Sequence, residues 1–347
     1  MKRDNPFTLT FGKQPSRYIE RYENTDTIVD VFDAENPVSQ TYLIEGIRGS
    51  GKTVLMTSIT KELLKSESWI NVDLNATQNL MDDFAMRLTD EVKKIPNFID
   101  KGFSINLAGF GVSVGKDETK RDSVSIIEEL LSYIKKKNKK VLITIDEVVN
   151  DSSMRVFASQ FQIFLRKDYP IYLLMTGLYE NINAIQNDPS LTFLLRTPKI
   201  YLEPLSMAQI VIQYQDIFGI STEKSKELAQ ITKGYAFAFQ ALGMLYWEYK
   251  DELRLDDILI KLDSMLDDYV YKKIWAALSK QDKKIVLAIG ENDKIKVKDL
   301  CNKLDMKITV LSKYRERLIN KGIIYAPEHG YISFALPRFY NVVSLYE

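Results

Sequence analysis

The segment GIRGSGKT (residues 46–53) carries three glycines, a lysine and a threonine at the spacing G-x-x-x-x-G-K-[ST]. Glycines let the backbone curl closely around an anion, while the lysine supplies a cation and the threonine hydroxyl a magnesium ligand. An apolar run precedes the segment and a helical pattern follows it, so the helix N-terminus adds to the positive field. We therefore predict binding of the phosphates of a nucleoside triphosphate, ATP or its product ADP. The predicted contacts are Gly46, Ile47, Arg48, Gly49, Ser50, Gly51, Lys52, Thr53 and Val54.

Two adjacent acids end the apolar run VLITIDEV (141–148). We expect Asp146 and Thr53 to hold Mg²⁺, and Glu147 to polarise an attacking water, because one carboxylate per task suffices for phosphoryl transfer. An apolar run that ends in Asp-Glu is weak evidence alone, since strands often stop at acidic residues. Its combination with the phosphate-binding loop, hereafter the P-loop (residues 46–53), favours a catalytic pair.

Two more residues are candidates for catalysis, each with a neutral alternative. Thr176 ends the apolar run IYLLMT, and its hydroxyl could contact the γ-phosphate or the water; otherwise it is a strand-terminal threonine without a role. Arg196 precedes a short extended run and could reach the γ-phosphate of a neighbouring subunit; otherwise it is a surface cation.

The elements that must position these residues alternate between short apolar runs and longer amphipathic ones. We predict strands within 41–47, 68–76, 141–148 and 171–177, with helices between them. Continuous apolar strands separated by helices indicate an α/β P-loop NTPase fold, with a parallel sheet covered by helices on both faces. The segment 102–116 alternates apolar and small residues, which indicates either an inserted hairpin or a dedicated functional element.

The pattern changes after this sheet. Residues 205–269 are predicted to form a helical lid, broken at Gly219 and Gly234. From 270 to 347 three short helices precede two extended runs, which is the winged-helix order, with 308–321 as the candidate recognition helix. The predicted domains are therefore 1–204, 205–269 and 270–347.

The composition restricts the environment and the partners. Lys plus Arg equals Asp plus Glu at 47 each, so a nucleic-acid partner needs a local basic patch. The single cysteine, Cys301, fits a reducing cytosol, and one cysteine with one histidine cannot build a zinc site. The chain has no apolar run of membrane-spanning length, and no apolar stretch follows its first basic residues. We expect a cytoplasmic protein.

These motifs come in the order found in AAA+-type ATPases, and the chain resembles their archaeal ATPase, origin-recognition-like and STAND-related branch. The resemblance implies a first-sensor role for Thr176, an arginine-finger role for Arg196 and adenine contact around Pro15 to Arg21. The run KGYAFAFQALG (233–243) departs from the pattern because it has Gly234 but neither the following proline nor a second-sensor arginine. We therefore expect slow ATP hydrolysis, and whether the lid contacts the nucleotide is left open.

The candidate recognition helix is basic, as a DNA-binding helix should be. From Lys280 onward Lys and Arg outnumber Asp and Glu by five (thirteen against eight). Five of these cations lie on or beside the helix, interrupted by Glu316: Lys307, Lys313, Arg315, Arg317 and Lys321. Two functions remain: an ATP-switched DNA-binding protein, or a signalling ATPase whose winged helix docks protein. A homo-oligomer is possible in either case.

Overall fold

The computed structural model describes residues 4–10, 15, 17–96, 122–291 and 294–346. The segment 102–116, for which the sequence predicts a hairpin or a functional insert, lies outside these residues. Internal contacts divide the chain into two compact units. The first unit contains Met1–Arg21, Gly46–Val54 and Tyr201–Glu347, and the second contains Tyr22–Glu45 and Leu55–Ile200. The three domain ranges given by the sequence remain a prediction.

The second unit is built on a five-stranded sheet in the order β2-β3-β4-β1-β5. Pairs β2–β3, β3–β4 and β4–β1 are parallel. The strands are β1 (Thr41–Glu45), β2 (Trp69–Leu74), β3 (Lys140–Ile145), β4 (Ile171–Gly177) and β5 (Lys199–Tyr201). Every residue of β1 and β4 is buried, as expected for parallel strands covered on both faces. The predicted α/β fold with a parallel sheet is confirmed.

Six helices accompany the sheet in the described residues. They are α1 (Tyr22–Asp33), α2 (Lys52–Leu63), α3 (Leu80–Lys93), α4 (Ser123–Lys136), α5 (Ser152–Arg166) and α6 (Tyr179–Gln186), and a 3₁₀ helix (Pro189–Arg196) follows. Asn79, Asp122 and Asp151 cap α3, α4 and α5 by accepting hydrogen bonds from first-turn N–H groups. One apolar face of each of these helices packs on the sheet through Phe84, Leu130 and similar side chains.

Helices dominate the first unit after β5. They are α7 (Met207–Phe218), α8 (Thr222–Thr232), α9 (Ala236–Tyr249), α10 (Leu255–Leu266) and α11 (Lys272–Ala276), with a π-helical turn at Asp267–Tyr271. Gly219 ends α7 with φ +63°, and Gly234 precedes α9 with φ +73°. Both are conformations that glycine adopts at little cost, which explains the breaks that the sequence predicts. No helix among the described residues is both long and apolar enough to cross a bilayer.

The C-terminal segment (residues 280–346) contains the predicted three helices and hairpin, with one strand and one short helix added. Its elements are α12 (Lys280–Ile289), β6 (Lys294–Lys296), α13 (Val297–Leu304), α14 (Ile308–Asn320), β7 (Ile324–Tyr325), β8 (Tyr331–Phe334) and α15 (Phe339–Val343), and Ser344–Tyr346 is a 3₁₀ turn. The strands form an antiparallel sheet in the order β6-β8-β7. The core of this segment is continuous with that of α7–α11.

Candidate nucleotide-binding site

The P-loop follows β1 directly, since Gly46 is the residue after Glu45. Gly49 has φ +76° and Gly51 has φ +95°, and both lie in the region that side chains rarely adopt. Helix α2 begins at Lys52, so the loop leads straight into a helix N-terminus. These are the backbone features that an anion cradle needs, and the sequence prediction of a strand, a loop and a helix is correct.

Five consecutive P-loop carbonyl groups each accept a hydrogen bond from within the first unit. Lys52 Nζ donates to the carbonyls of Gly46 and Ile47, both at 3.0 Å. Tyr235 Oη donates to the Arg48 carbonyl at 2.5 Å, and the Phe237 N–H donates to the Gly49 carbonyl at 3.0 Å. In the same way Arg21 Nη2 donates to the Ser50 carbonyl at 3.3 Å. The loop is therefore held in position by its carbonyl groups.

Two polar side chains of the loop are buried. Lys52 is 5% exposed, and Ser50 is 7% exposed. Ser50 Oγ has no hydrogen-bond partner among the described residues. A buried hydroxyl without a partner is costly, so its presence here is a reason to look for a polar ligand. The residues present therefore fit a phosphate-bearing ligand.

A cavity of about 640 Å³ adjoins the loop within the first unit. Its walls include Ile47 and Ser50 of the P-loop, Gly234 to Ala236 at the start of α9, and Gly322 and Ile324 of the C-terminal segment. Arg21, from the stretch 15–21 predicted to contact adenine, also lines it. Burial lowers the pKa of the Arg21 guanidinium, and the charge of Glu203 partly offsets this effect. A volume of this size is typical of small-molecule sites.

The second unit brings Asp146, Glu147 and Thr176 together. Thr176 Oγ1 donates to Asp146 Oδ1, and the Glu147 N–H is 3.1 Å from both Asp146 Oδ1 and Thr176 Oγ1. Strand register explains the cluster, because Ile145 pairs with Met175 at the carboxyl ends of β3 and β4. Glu45 of β1 pairs with Gly177 at the same edge. Thr176 is fully buried, whereas Glu147 is exposed.

Glu147 has an unusual backbone conformation. Its φ is +54°, in the left-handed region that a residue with a side chain occupies only at a cost. Such strain clusters at functional sites, where the surrounding contacts hold it. Here the hydrogen bonds to the Glu147 N–H provide that support.

Two further charged residues of the second unit are Arg196, predicted to act in catalysis, and Glu45 at the end of β1. Arg196 is the last residue of the 3₁₀ helix Pro189–Arg196 and is exposed, and its neighbour Leu195 is 56% exposed. Glu45 is only 6% exposed, and its carboxylate is 4.0 Å from Lys199 Nζ. Burial raises the pKa of Glu45, and the charge of Lys199 opposes that shift without cancelling it.

Contacts within the C-terminal segment remove one cation from the predicted basic patch. Arg317 donates to Asp282 through Nε and Nη2, and Nη2 also donates to Ser279 Oγ at 3.1 Å. Because the Asp282 side chain is 1% exposed, Arg317 neutralises a buried carboxylate and belongs to the framework. The exposed first turns of α14 instead present Ile308, Val310 and Lys313. The patch is therefore smaller than the sequence suggests.

Sequence reasoning missed Tyr235, which immediately precedes α9, and Phe237 in the first turn of α9, and both contact the P-loop. The only sequence signal was Gly234, because this region lacks the proline and the arginine that similar ATPases carry at the corresponding positions. The contact that exists uses a phenol hydroxyl and a backbone N–H, directed at carbonyl groups of the loop. Neither donor has a sequence pattern of its own.

This sheet, the P-loop and the helical C-terminal region together form an α/β P-loop fold with a helical C-terminal region. The chain is similar to the Aeropyrum pernix ORC2 protein in its ADPNP–ADP complexes, with TM-score 0.62 and 13% identity over 97% of this chain and 96% of that one. The ADP form of the same protein gives TM-score 0.53 and 14% identity, covering 95% and 94%. Cdc6p from Pyrobaculum aerophilum gives 0.50 and 14%, covering 97% and 96%. The predicted likeness to origin-recognition proteins is confirmed for the fold.

Sequence comparisons cover less of the chain. Residues 268–342 match a family model described as a domain of unknown function (DUF8462). No curated protein sequence matches the chain.

Proposed function

We propose that this chain is a nucleotide-dependent switch that binds ATP or ADP with Mg²⁺, hydrolyses ATP slowly and passes its nucleotide state to the C-terminal segment. One observation carries the proposal. The cavity beside the P-loop has walls from the loop, from the start of α9 and from the C-terminal segment, all within one compact unit. A ligand in this cavity would therefore contact all three, so its presence should affect how the C-terminal segment packs.

The phosphate end of the ligand would be held by the P-loop. Lys52 would supply a cation, and the backbone N–H groups of Gly49 and of Gly51 to Val54 would supply donors at the start of α2. The orphan hydroxyl of Ser50 would gain a partner. The nucleoside end would occupy the cavity lined by Arg21 and Ile47, in agreement with the adenine contact expected from the stretch 15–21.

Hydrolysis would depend on residues of the second unit. Asp146 and Thr53 are the proposed magnesium ligands, and the ion, when bound, would neutralise charge on the phosphates. Glu147 would accept a proton from, or orient, the attacking water. Thr176 holds both the Asp146 carboxylate and the Glu147 N–H, which makes it the residue that fixes their arrangement. Arg196 is exposed, as a residue acting on a neighbouring subunit must be.

The C-terminal segment has the element order of a winged helix, and we propose that α14 is its recognition helix. Duplex DNA is the first candidate partner. Lys307 and Lys313 are exposed on this helix or beside it, where they could contact phosphates.

Protein docking is the second candidate, and a specific observation favours it. Ile308 is 59% exposed and Val310 is 44% exposed on the first turns of α14, while Arg317 is occupied by Asp282. Exposed apolar side chains beside Lys307 and Lys313 suit an interface with another protein.

Nucleotide binding is tested with Lys52→Ala. This change should weaken ATP binding at least tenfold, because a charge-assisted hydrogen bond to phosphate contributes about 1.5–3 kcal/mol. Lys61→Ala, in the last turn of the same helix, is the matched control and should leave the affinity unchanged. Equal ATP affinity in the wild type and in folded Lys52→Ala would contradict the proposal.

The partner is tested by salt titration of binding to random duplex DNA. A DNA-binding α14 predicts a steep loss of affinity as salt rises, and Lys313→Ala should reduce the slope by about one. Val310→Ser should then have little effect on non-specific affinity. Absence of DNA binding at low salt would exclude the first candidate and leave protein docking.

A further inference from the structure

The start of α9 is fitted to the P-loop at Gly49. A Cβ atom on Gly49 would lie 2.3 Å from Tyr235 Oη and 3.1 Å from Phe237 Cβ, so no side chain is possible there. The loop glycine therefore serves two purposes: it adopts a positive φ, and it admits the phenol ring of Tyr235. Gly51 is also close to α9, because its Cβ would lie 3.7 Å from Ala236 Cβ.

Tyr235 is itself held in a fixed place. Its backbone N–H donates to the Thr232 carbonyl at 2.8 Å. Gly234, just before it, can bear no side chain, because a Cβ would lie 2.7 Å from the Leu205 carbonyl oxygen. The ring is 5% exposed within the core of the first unit. Its hydroxyl can therefore fix the position of the loop, since the ring cannot move without disturbing that core.

A hydrogen bond to a P-loop carbonyl also fixes the orientation of the N–H group of the next residue. Each peptide unit is planar, so the direction of a C=O group sets the direction of the N–H of the following residue. Tyr235 holds the carbonyl of Arg48, and this orients the N–H of Gly49. Phe237 holds the carbonyl of Gly49, and this orients the N–H of Ser50, which donates to the Ile47 carbonyl at 3.2 Å.

We propose that Tyr235 is a positioning residue for phosphate binding, which orients the Gly49 N–H through the Arg48 carbonyl and so couples the start of α9 to the bound phosphates. The inference rests on the proposed function, because it assumes that the P-loop binds a nucleotide. Burial raises the pKa of the Tyr235 hydroxyl far above its ordinary value, so the group remains a donor at any physiological pH. Coupling of this kind is reciprocal: phosphate binding must in turn stabilise the contact with α9.

The test compares three tyrosines of the first unit that each donate one buried hydrogen bond to a carbonyl. Tyr235→Phe removes the bond to Arg48. Tyr271→Phe removes a bond of 2.5 Å to the Pro337 carbonyl, and Tyr214→Phe removes one of 2.7 Å to the Phe239 carbonyl. All three rings are buried, so all three variants should lose similar thermal stability.

Affinity for ADP separates the three variants. Tyr235→Phe should bind ADP about threefold to tenfold more weakly than the wild type, the change expected for one hydrogen bond. Tyr271→Phe and Tyr214→Phe should bind ADP as the wild type does. Adenosine, which has no phosphate, should lose no affinity in Tyr235→Phe.

The outcomes distinguish the inference from the function on which it rests. If the wild type does not bind ADP, the proposed function fails. If it binds and Tyr235→Phe matches it, or if all three variants lose affinity equally, the positioning role is wrong. Amide exchange in the wild type gives a check that needs no variant, because ADP should slow the exchange of the Phe237 N–H. Unchanged exchange at saturating ADP would overturn the coupling.

Discussion

The N-terminal segment of the first unit packs an aromatic side chain, Phe7, on α9. From this contact we predict a substitution whose effect on stability changes sign when Phe7 is removed. Phe7 is 3% exposed and lies 5.7 Å, between ring centroids, from both Phe218 and Phe239. It packs over Gly243, where a Cβ atom would lie 2.5 Å, 2.6 Å and 2.7 Å from three ring carbons of Phe7. The ring of Phe7 therefore fits at this position only because residue 243 has no side chain.

Gly243→Ala should have opposite effects in two backgrounds. In the wild type the added methyl group overlaps the Phe7 ring, and overpacking of this kind costs about 1–3 kcal/mol. In Phe7→Ala the ring is gone, and glycine to alanine inside a helix then gains about 1 kcal/mol. The double-mutant cycle should therefore show a coupling energy of about 2–4 kcal/mol, the sum of these two contributions.

Urea unfolding followed by tryptophan fluorescence is the assay. The chain has three tryptophans, and Trp69 belongs to the second unit, whereas Trp247 and Trp275 belong to the first. A Trp69→Phe background therefore reports the first unit alone. Trp247 is well placed, because its ring centroid is 6.5 Å from that of Phe218, which packs on Phe7.

A destabilisation by Gly243→Ala of the same size in both backgrounds would refute this reasoning. It would mean that Phe7 does not occupy the space over Gly243 and that the cost comes from elsewhere along α9. Phe7→Ala alone should also destabilise the unit, since it removes a buried aromatic ring.

Three further predictions concern the proposed site. Glu147→Gln should bind Mg-ATP normally and hydrolyse it at least tenfold more slowly, measured as phosphate release, because the amide cannot accept a proton; turnover within twofold of the wild type would exclude the role. Glu45→Gln should stabilise the protein, and this stabilisation should grow as the pH rises above about 4.5. Burial raises the pKa of Glu45 in the folded state, so the wild type has its full stability below the pKa of the unfolded state and loses part of it as the pH rises through the pKa of the folded state. Melting temperatures from pH 4 to 8 test this, and a constant difference would contradict it. A mixture of inactive Arg196→Ala and inactive Lys52→Ala should regain ATPase activity if Arg196 acts on a neighbouring subunit; a mixture that forms joint assemblies yet stays inactive would exclude that action.

The parts of the fold that the sequence predicts are those where one local rule dominates. The apolar runs of β1 and β4 are unbroken because both faces of these strands are covered, and the structure confirms both. The P-loop is recognisable because its chemistry requires particular residues at particular spacing. By contrast β6 has the sequence KIK and no alternating pattern over a useful length. Its strand conformation comes from pairing with β8, which the sequence does not show.

The parts that the sequence does not predict depend on partners far along the chain. Arg317 looks like a DNA-contacting cation until its partner Asp282, 35 positions earlier, is placed beside it. Tyr235 meets a backbone carbonyl 187 positions away, and backbone groups leave no trace in a sequence. The left-handed φ of Glu147 is also not evident from the sequence, because a hydrogen bond that accompanies it is accepted by Thr176, 29 positions later.

The residues proposed for phosphate binding lie in the same unit as the C-terminal segment, and this bears on how such a switch would work. Lys52 and Tyr235, proposed for phosphate binding, belong to the first unit, together with the C-terminal segment. Asp146 and Glu147, proposed for hydrolysis, belong to the second. In the proposed switch, nucleotide binding would act on the C-terminal segment through contacts within the first unit, and hydrolysis would end the bound state. On this reasoning Glu147→Gln should keep the C-terminal segment in the conformation that ATP binding favours. Lys52→Ala should not adopt that conformation.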